Sequence, residues 1–158
     1  MRRENQTREN QALVLALLRS QQLFMRAMVS TFRSVGLTAP QWDALETLSN
    51  KGPLSINDLM RLTLSTSGNL DVVVKNLIQA GWVEKSVDET DRRARVLRLT
   101  AAGNQKVAEF LPIHNAALEQ IFGDLSAQDK RQTIRTLNLL RKKLPQPQKA
   151  STCQTKPS

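Results

Sequence analysis

The chain has 158 residues, of which 40% are hydrophobic and 23% charged, a balance typical of one globular domain with its own core. No uninterrupted apolar run approaches the roughly 20 residues of a membrane span. The short apolar stretch 12–18 leads directly into Arg19, without a signal-peptide cleavage pattern. The single cysteine, Cys153, cannot form an internal disulfide. We therefore expect a cytoplasmic protein that does not associate with a membrane.

The chain is strongly basic, with 23 lysine and arginine residues, 14 acidic residues and a net charge of +9. Such an excess favours polyanions in general, and alone it does not separate DNA from RNA or acidic lipid. Aromatic residues make up 4% of the chain and tyrosine is absent. The composition therefore argues against proteins that stack single-stranded bases on exposed rings.

A long amphipathic helix is predicted near the N-terminus. Residues 1–9 are polar and are expected to form a flexible tail. Over residues 10–36 apolar residues recur at the spacing of one helix face, and Gly36 suits the position just after the last turn. The apolar positions are Leu13, Leu17, Phe24, Met28 and Phe32, with Val14, Leu18 and Met25 widening the stripe.

Capping signals predict the starts of two shorter helices. Thr38, followed three residues later by Gln41, has the pattern of a capping box and opens a second helix that ends near residues 50–53. Ser55 with Asp58 repeats the pattern for a short third helix.

A fourth helix is predicted after a turn at residues 64–68, and Gly81 ends it. The β-branched run 72–74 weakens its helix propensity, but the flanking serine and threonine residues and the glycine favour a helix. Two helices joined by a short turn are the helix-turn-helix pattern. We expect Leu70, Val73, Val74 and Leu77 to enter the core, and Ser67, Asn69, Asp71, Lys75 and Asn76 to face solvent or a ligand.

An arginine-rich hairpin is predicted directly after this helix. Residues 82–87 and 95–99 have the pattern of paired strands, and the loop between them carries Asp91, Arg92 and Arg93. A helix followed by an arginine-tipped hairpin is typical of winged-helix proteins. In these proteins the helix enters a major groove of duplex DNA and the loop reaches an adjacent groove.

Two further helices are predicted before the C-terminus. Thr100 caps a long helix, which Pro112 should kink or split. Ser126 with Asp129 starts the last helix. Residues 145–158 are polar, contain proline and are expected to be a disordered tail.

These elements predict a mainly α fold with a small antiparallel β-wing. The winged helix-turn-helix lobe spans residues 37–100, between long terminal helices at 10–36 and 101–144. The apolar faces of these helices could pack within one chain. However, helices at both ends of so small a domain have little of it to cover, which favours contact with a second copy. The terminal helices are therefore expected to form a dimerisation pad.

Four blocks of the sequence resemble the MarR family of winged-helix transcriptional regulators: GLTAPQWDALETL, LSTSGNLDVVVKNLIQAGWVEK, DRRARVLRLTAAG and LSAQDKRQTIRTLNLLRKKL. The resemblance extends over about residues 10–144. It implies a symmetric homodimer whose DNA-binding lobes hang from the pad, with an effector site between pad and lobe.

The resemblance also assigns roles to individual residues. Asp91 matches the wing aspartate that braces an arginine, Arg93 matches the arginine beside it, and residues 65–69 match the start of the recognition helix. Asp71 and Lys75 depart from the family pattern, because many relatives have a threonine and an acid there. These departures affect the expected base contacts, and a swapped charge pair is one interpretation.

Small polar side chains at the start of the fourth helix suit close contact with DNA. Hydroxyl groups can donate to phosphates, and an asparagine amide can pair with an adenine edge. The alternative role of Ser65 or Thr66 is helix capping, worth about 1 kcal/mol, and it is compatible with phosphate contact. The candidate DNA-contacting residues of this helix are Ser65, Thr66, Ser67, Asn69 and Lys75, the lysine being placed for a phosphate.

The candidate DNA-contacting residues of the wing are Asp91, Arg92, Arg93 and Arg95. A guanidinium is less strongly hydrated than an ammonium, so it enters a narrow minor groove more readily. Asp91 is expected to orient one arginine through a bidentate pair. The alternative is a solvated turn whose exposed salt bridge contributes less than about 1 kcal/mol. The preceding helix makes DNA contact the better interpretation.

No catalytic, metal or cofactor site is predicted. One histidine, His114, cannot build a multi-histidine site within a chain, and P-loop, nucleophile-elbow and dinucleotide motifs are absent. An intermolecular disulfide through Cys153 is an open alternative. Arg19, Phe24 and Trp42 are candidates for an effector pocket, although core packing is the simpler role for the two aromatic side chains.

The sequence therefore predicts a non-enzymatic regulator that binds a pseudo-palindromic operator in double-stranded DNA as a homodimer. A repressor released by a small-molecule effector is the expected mode of action. One alternative is a protein–protein interaction module, which predicts a shallow salt dependence of DNA binding. Another is a non-specific DNA-compacting protein, which predicts equal affinity for random duplex.

Overall fold

The computed structural model describes residues 2–63, 67–87 and 95–144, and it is mainly helical with a two-stranded antiparallel sheet. This architecture confirms the predicted fold class. The contacts divide the chain into two compact units, Met1–Glu119 and Gln120–Ser158. The elements in chain order are α1 (Arg2–Ser34), α2 (Ala39–Lys51), α3 (Ile56–Leu62), α4 (Ser67–Gln79), β1 (Val83–Val87), β2 (Arg95–Leu99), α5 (Ala101–Phe122) and α6 (Ala127–Lys143).

Side-chain caps fix the starts of the shorter helices. Thr38 and Gln41 form the predicted capping box: the Thr38 backbone N–H donates to Gln41 Oε1 at 2.9 Å, and Thr38 Oγ1 accepts from the Gln41 N–H. At α3 and α6, the hydroxyls of Ser55 and Ser126 each accept from the backbone N–H three residues on, at 3.1 Å. These caps confirm the predicted starts of all three helices.

The N-terminal helix is longer than the sequence predicts. α1 begins at Arg2, whereas the polar composition of residues 1–9 predicts a flexible tail. The segment lacks glycine and proline and is rich in arginine, glutamate and glutamine, which are good helix formers. Polarity distinguishes a buried helix from an exposed one, but it does not distinguish an exposed helix from coil.

Pro112 does not split the fifth helix, because α5 runs continuously across it. A proline inside a helix removes one backbone hydrogen bond, which leaves the carbonyl four residues earlier without its usual donor. That residue is Ala108, and both it and Pro112 are exposed. Water can hydrate the carbonyl at such a position, so the helix can continue.

The core of the first unit gathers side chains from α1 to α5. Leu45 and Leu59 are fully buried, as is Phe110, and both Met28 and Phe32 of α1 are buried against them. The apolar spacing of the C-terminal part of α1 therefore matches its buried face. The rest of the cluster includes Leu37, Trp42, Ala44, Leu48, Leu70, Val73, Val74, Leu77, Val83, Leu97 and Val107.

The two strands form a hairpin with Val83 opposite Leu99 and Val87 opposite Arg95. The backbone of Leu54, between α2 and α3, exchanges two hydrogen bonds with Leu97, of 2.8 and 3.0 Å. The base of the hairpin is therefore attached to the helical core on the side of β2.

Much of α1 exposes apolar side chains. Residues 5–34 form the one helix in the described ranges that is long and apolar enough, by length and composition alone, to cross a membrane, and little of it is buried. A helix whose apolar face packs against another helix can have the same composition as a membrane-spanning helix. The exposed apolar residues of α1 are Leu13, Val14, Leu15, Leu18, Leu23, Met25 and Val29.

Candidate nucleic-acid interface and buried aromatic cluster

Helix α4 separates an apolar face from a polar one. Leu70, Val73, Val74 and Leu77 are all at least 95% buried, and their i, i+3, i+4, i+7 spacing places them on one side of the helix. This burial anchors the helix and confirms its predicted core face. The exposed side carries Asn69, Asp71, Lys75 and Asn76.

Val72 is a surface residue that was not among the predicted DNA-contacting residues of this helix. Its side chain is 56% exposed on α4, although valine at such a position would ordinarily be expected in the core. The sequence spacing predicts this exposure. Val72 is two residues from both Leu70 and Val74, and residues two apart do not share a helix face. An exposed apolar side chain on such a helix can contact the methyl group of thymine.

A short network fixes α4 to the hairpin. Gly81 ends the helix with φ of 73°, in the left-handed region that favours glycine, as its sequence position predicts. Thr100 Oγ1 donates to the Gly81 carbonyl at 2.6 Å and accepts from the Gly103 N–H at 3.0 Å. A Cβ on Gly103 would lie 2.0 Å from the Trp82 carbonyl oxygen, so only glycine fits there. The start of α5 thereby holds helix and hairpin together.

The described part of the wing includes Arg95 and Arg98 of β2. Arg95 is exposed, whereas Arg98 is half-buried. Successive strand residues point to opposite faces, so these two arginines, three positions apart, lie on opposite faces of the hairpin. Arg98 pairs in register with Glu84 across the hairpin. Of the two, Arg95 has the placement expected of a DNA-contacting residue.

The structure describes part of the predicted interface. Asn69, Lys75 and Arg95 are exposed on α4 and β2. Ser67 is the first residue of α4, where only its backbone is described. The predicted contacts of Ser65, Thr66, Asp91, Arg92 and Arg93 fall outside the described residues and stay predictions.

A cluster of four rings lies among α1, α2 and α5 of the first unit. Phe110 stands edge-on to Trp42, with ring centroids 4.7 Å apart. His114 lies 5.2 Å from Trp42, 5.6 Å from Phe110 and 6.1 Å from Phe32. All four side chains are more than nine-tenths buried, and His114 is the most exposed of them at 9%.

Two nitrogen atoms in this cluster are buried without a hydrogen-bond partner among the described residues: Trp42 Nε1 and His114 Nδ1. A buried polar group left unpaired costs about 1–3 kcal/mol. Burial lowers the pKa of His114, and the charge of Glu46 opposes this change. At neutral pH the ring is therefore neutral, and one of its nitrogens carries a hydrogen while the other can accept one.

Of the predicted effector-pocket residues, Trp42 belongs to this cluster and Phe24 packs at the edge of the core. Arg19 is exposed on α1. As the single histidine of the sequence, His114 was excluded as part of a multi-histidine metal site, but its position four residues after Phe110 also predicts a shared helix face. No group of three or more potential metal ligands occurs in the ranges that the structure describes.

Comparison with known sequences identifies a family model and several relatives. Residues 35–94 match the sequence model of the MarR family. The chain is 28% identical to YkoM of Bacillus subtilis, an uncharacterised HTH-type transcriptional regulator, over 63% of this chain and 64% of YkoM. It is 33% identical to the transcriptional activatory protein BadR of Rhodopseudomonas palustris, over 65% of this chain and 61% of BadR. The matches thus span less than two thirds of either relative.

Comparison of structures extends the likeness. BpsR of Bordetella bronchiseptica, whose DNA binding is regulated by 6-hydroxynicotinic acid, superimposes with a TM-score of 0.68 and 27% identity. The match covers 80% of this chain and 89% of BpsR, so it includes helices outside the winged-helix region. Sequence and fold agree: residues 35–94 match the MarR family model, and the chain has the fold of the regulator BpsR over most of its length.

Proposed function

We propose that the chain is a cytoplasmic repressor that binds a pseudo-palindromic operator in double-stranded DNA as a homodimer, and that a small-molecule effector releases it. The observation that carries this proposal is the two-sided helix α4. Its apolar side is anchored in the core, while Asn69 and Lys75 remain exposed directly before a hairpin bearing Arg95. In this role α4 enters the major groove and the hairpin contacts an adjacent groove.

Exposed apolar helix faces support the homodimer. In α1, Leu18 and Leu23 are 59% and 63% exposed, and in α6 Ile134 is 59% exposed. Large apolar patches on a soluble protein usually mark an interaction surface. A second copy supplies the complementary surface by symmetry, and two recognition helices then meet successive major grooves on one face of the duplex.

The aromatic cluster supports an effector site. An indole N–H can only donate a hydrogen bond, so a ligand oxygen near Trp42 Nε1 would satisfy a buried group that has no described partner. The regulation of BpsR by 6-hydroxynicotinic acid provides a related example of an aromatic effector. An effector releases DNA only when its affinity differs between the DNA-binding and the released conformations.

Selection of bound sequences from a random duplex pool tests the proposed function. We expect a two-fold symmetric consensus whose half-sites lie about one helical turn apart. An asymmetric consensus would contradict the homodimer, and the absence of any consensus would favour a DNA-compacting protein. A panel of aromatic acids, tested for thermal stabilisation and for release of the selected operator, then tests the effector.

A further inference from the structure

The net positive charge of the chain lies outside the winged helix-turn-helix lobe. Residues 37–100 carry eight basic and eight acidic side chains, so the lobe has no net charge. Residues 127–143, which form α6, carry six basic residues and one acid. The excess of positive charge, which suggests a polyanion ligand, is therefore concentrated on elements that take no part in the proposed contacts with the operator.

Three of the basic residues of α6 form one stripe, which we call the α6 basic face: Arg131, Arg135 and Lys142. At about 100° per residue, positions i, i+4 and i+11 fall within about 40° of one another around the helix. All three side chains are exposed. The stripe is about 16 Å long, from a rise of about 1.5 Å per residue.

The acid of α6 does not neutralise this face. Asp129 lies in the first turn, where its carboxylate accepts from the Ser126 hydroxyl at 2.6 Å and its N–H donates to the same oxygen. It is therefore engaged in the helix cap, and it lies about 200° around the axis from Arg131, on the opposite side of the helix from the basic face. Arg141 and Lys143 add further positive charge in the last turn.

The apolar face of α6 is separate. Ile134, Leu137 and Leu144 are 42–59% exposed and share a side of the helix roughly a third of a turn from the basic face. Leu139, 54% exposed, is a single apolar side chain at the opposite edge of the basic face, four residues after Arg135. If the apolar face contacts a second copy, as in the proposed function, the basic face is left for another ligand. A membrane surface would need the apolar side chains for insertion, whereas a phosphate backbone needs only the charges.

We propose that the α6 basic face binds the phosphate backbone of duplex DNA and supplies a sequence-independent part of the affinity. The proposal rests on the proposed function for the identity of the polyanion. One DNA strand presents a phosphate about every 3.4 Å along the axis, so a stripe of this length spans several. Because phosphate contacts carry no sequence information, this face raises affinity for all duplexes alike.

The salt dependence of binding to a random-sequence duplex tests this role. In the Arg131→Gln/Arg135→Gln variant, the slope of log affinity against log salt should be shallower by about two. The loss of affinity between about 50 and about 200 mM salt should then be about tenfold smaller than in the wild type. Preference for the operator over random duplex should persist. An unchanged slope would overturn the proposal.

Two control variants separate charge from other effects. Arg131→Lys/Arg135→Lys keeps the charges and should keep the slope. Arg33→Gln/Lys51→Gln removes two exposed charges at the ends of α1 and α2, outside α6, α4 and the hairpin, and an equal loss of slope there would overturn a specific role for α6. Helicity and molecular mass are measured for each variant. A glutamine variant that alone becomes monomeric would assign the stripe to the subunit interface instead.

A membrane is the competing ligand. Vesicles containing phosphatidylserine are therefore tested with the same variants. Loss of vesicle binding with unchanged duplex binding would overturn the proposal in favour of a lipid surface. The proposed function fails separately: if no operator is selected but the glutamine variant still flattens the salt slope, the α6 basic face stands and operator recognition does not.

Discussion

Trp42 and His114 lie beside each other in the core with ring centroids 5.2 Å apart, although they are distant in the sequence. Each ring keeps one buried nitrogen without a hydrogen-bond partner in the described part of the chain. A buried polar group left without a partner costs about 1–3 kcal/mol, so each nitrogen would weaken the folded chain unless a ligand or water satisfies it. A ligand that forms hydrogen bonds with these two nitrogens would gain affinity from them.

Replacing Trp42 with phenylalanine should preserve folding and remove the effector response. The smaller ring leaves a cavity, but the substitution also deletes an unsatisfied donor, so we expect the free energy of unfolding to change by about 1 kcal/mol or less. The thermal stabilisation by an effector should be lost, because the N–H that donates to it is gone. Trp82→Phe, in a half-buried tryptophan outside the cluster, is the matched control and should keep the full response.

His114 should make stability fall on acidification. Burial lowers its pKa in the folded chain, against the opposing charge of Glu46. As pH falls below about 6.5, the unfolded chain binds a proton that the folded chain resists, so the free energy of unfolding declines. Above that pH His114 is neutral in both the folded and the unfolded chain, so it no longer makes the free energy of unfolding depend on pH.

His114→Phe should therefore flatten the decline in stability between about pH 7 and pH 5, a window in which histidine is the side chain that ordinarily titrates. The chain has no other histidine, which makes the comparison direct. Urea unfolding at a series of pH values measures it. An equally steep decline in the variant would show that burial of His114 is not the cause.

Local features of the fold were predictable because their physical causes lie within a few residues. The capping pair Thr38 and Gln41 is a short-range hydrogen-bonding pattern, and the buried side of α4 follows from apolar spacing. Gly81 was predictable because a positive φ at a helix end favours glycine. The same local logic predicted the two strands of the hairpin.

Features that depend on distant contacts or on the absence of burial were not predictable in this way. The polar start of α1 has the composition of both coil and exposed helix. The meeting of Trp42 with His114 requires α2 and α5 to pack together, which no local pattern specifies. Net charge suggested a polyanion ligand without locating it, although the i, i+4 spacing of Arg131 and Arg135 in the predicted last helix already placed both on one face.

Two substitutions on α4 should separate affinity from specificity. Lys75→Gln removes a predicted phosphate contact, so it should weaken binding to all sequences alike and reduce the salt slope by about one. Asn69→Ala removes a predicted base contact, so it should weaken operator binding by about 1–3 kcal/mol and relax the preference at one base pair. Fluorescence anisotropy with operator and single-base variants measures both. Uniform weakening by Asn69→Ala would argue against base recognition.

The wing should contribute affinity without affecting assembly. Arg93 lies outside the described residues, and its predicted contact is with the minor groove. Arg93→Ala should weaken operator binding by on the order of 1–3 kcal/mol and leave the dimer intact. Affinity at matched salt and molecular mass in solution are the measurements. Unchanged affinity would remove the wing from the mechanism.

A charge on the exposed apolar face of α1 should prevent dimerisation. Leu18 is 59% exposed, and burying a carboxylate there against a second copy would require its desolvation without a partner. Leu18→Glu should therefore shift the molecular mass in light scattering from dimer to monomer while the helix content stays close to wild type. Operator affinity should fall with it, because one subunit contacts one half-site. Leu62→Glu, at a 51% exposed leucine of α3, is the matched control and should remain dimeric. Dimers of Leu18→Glu at the wild-type dissociation constant would place the subunit interface elsewhere.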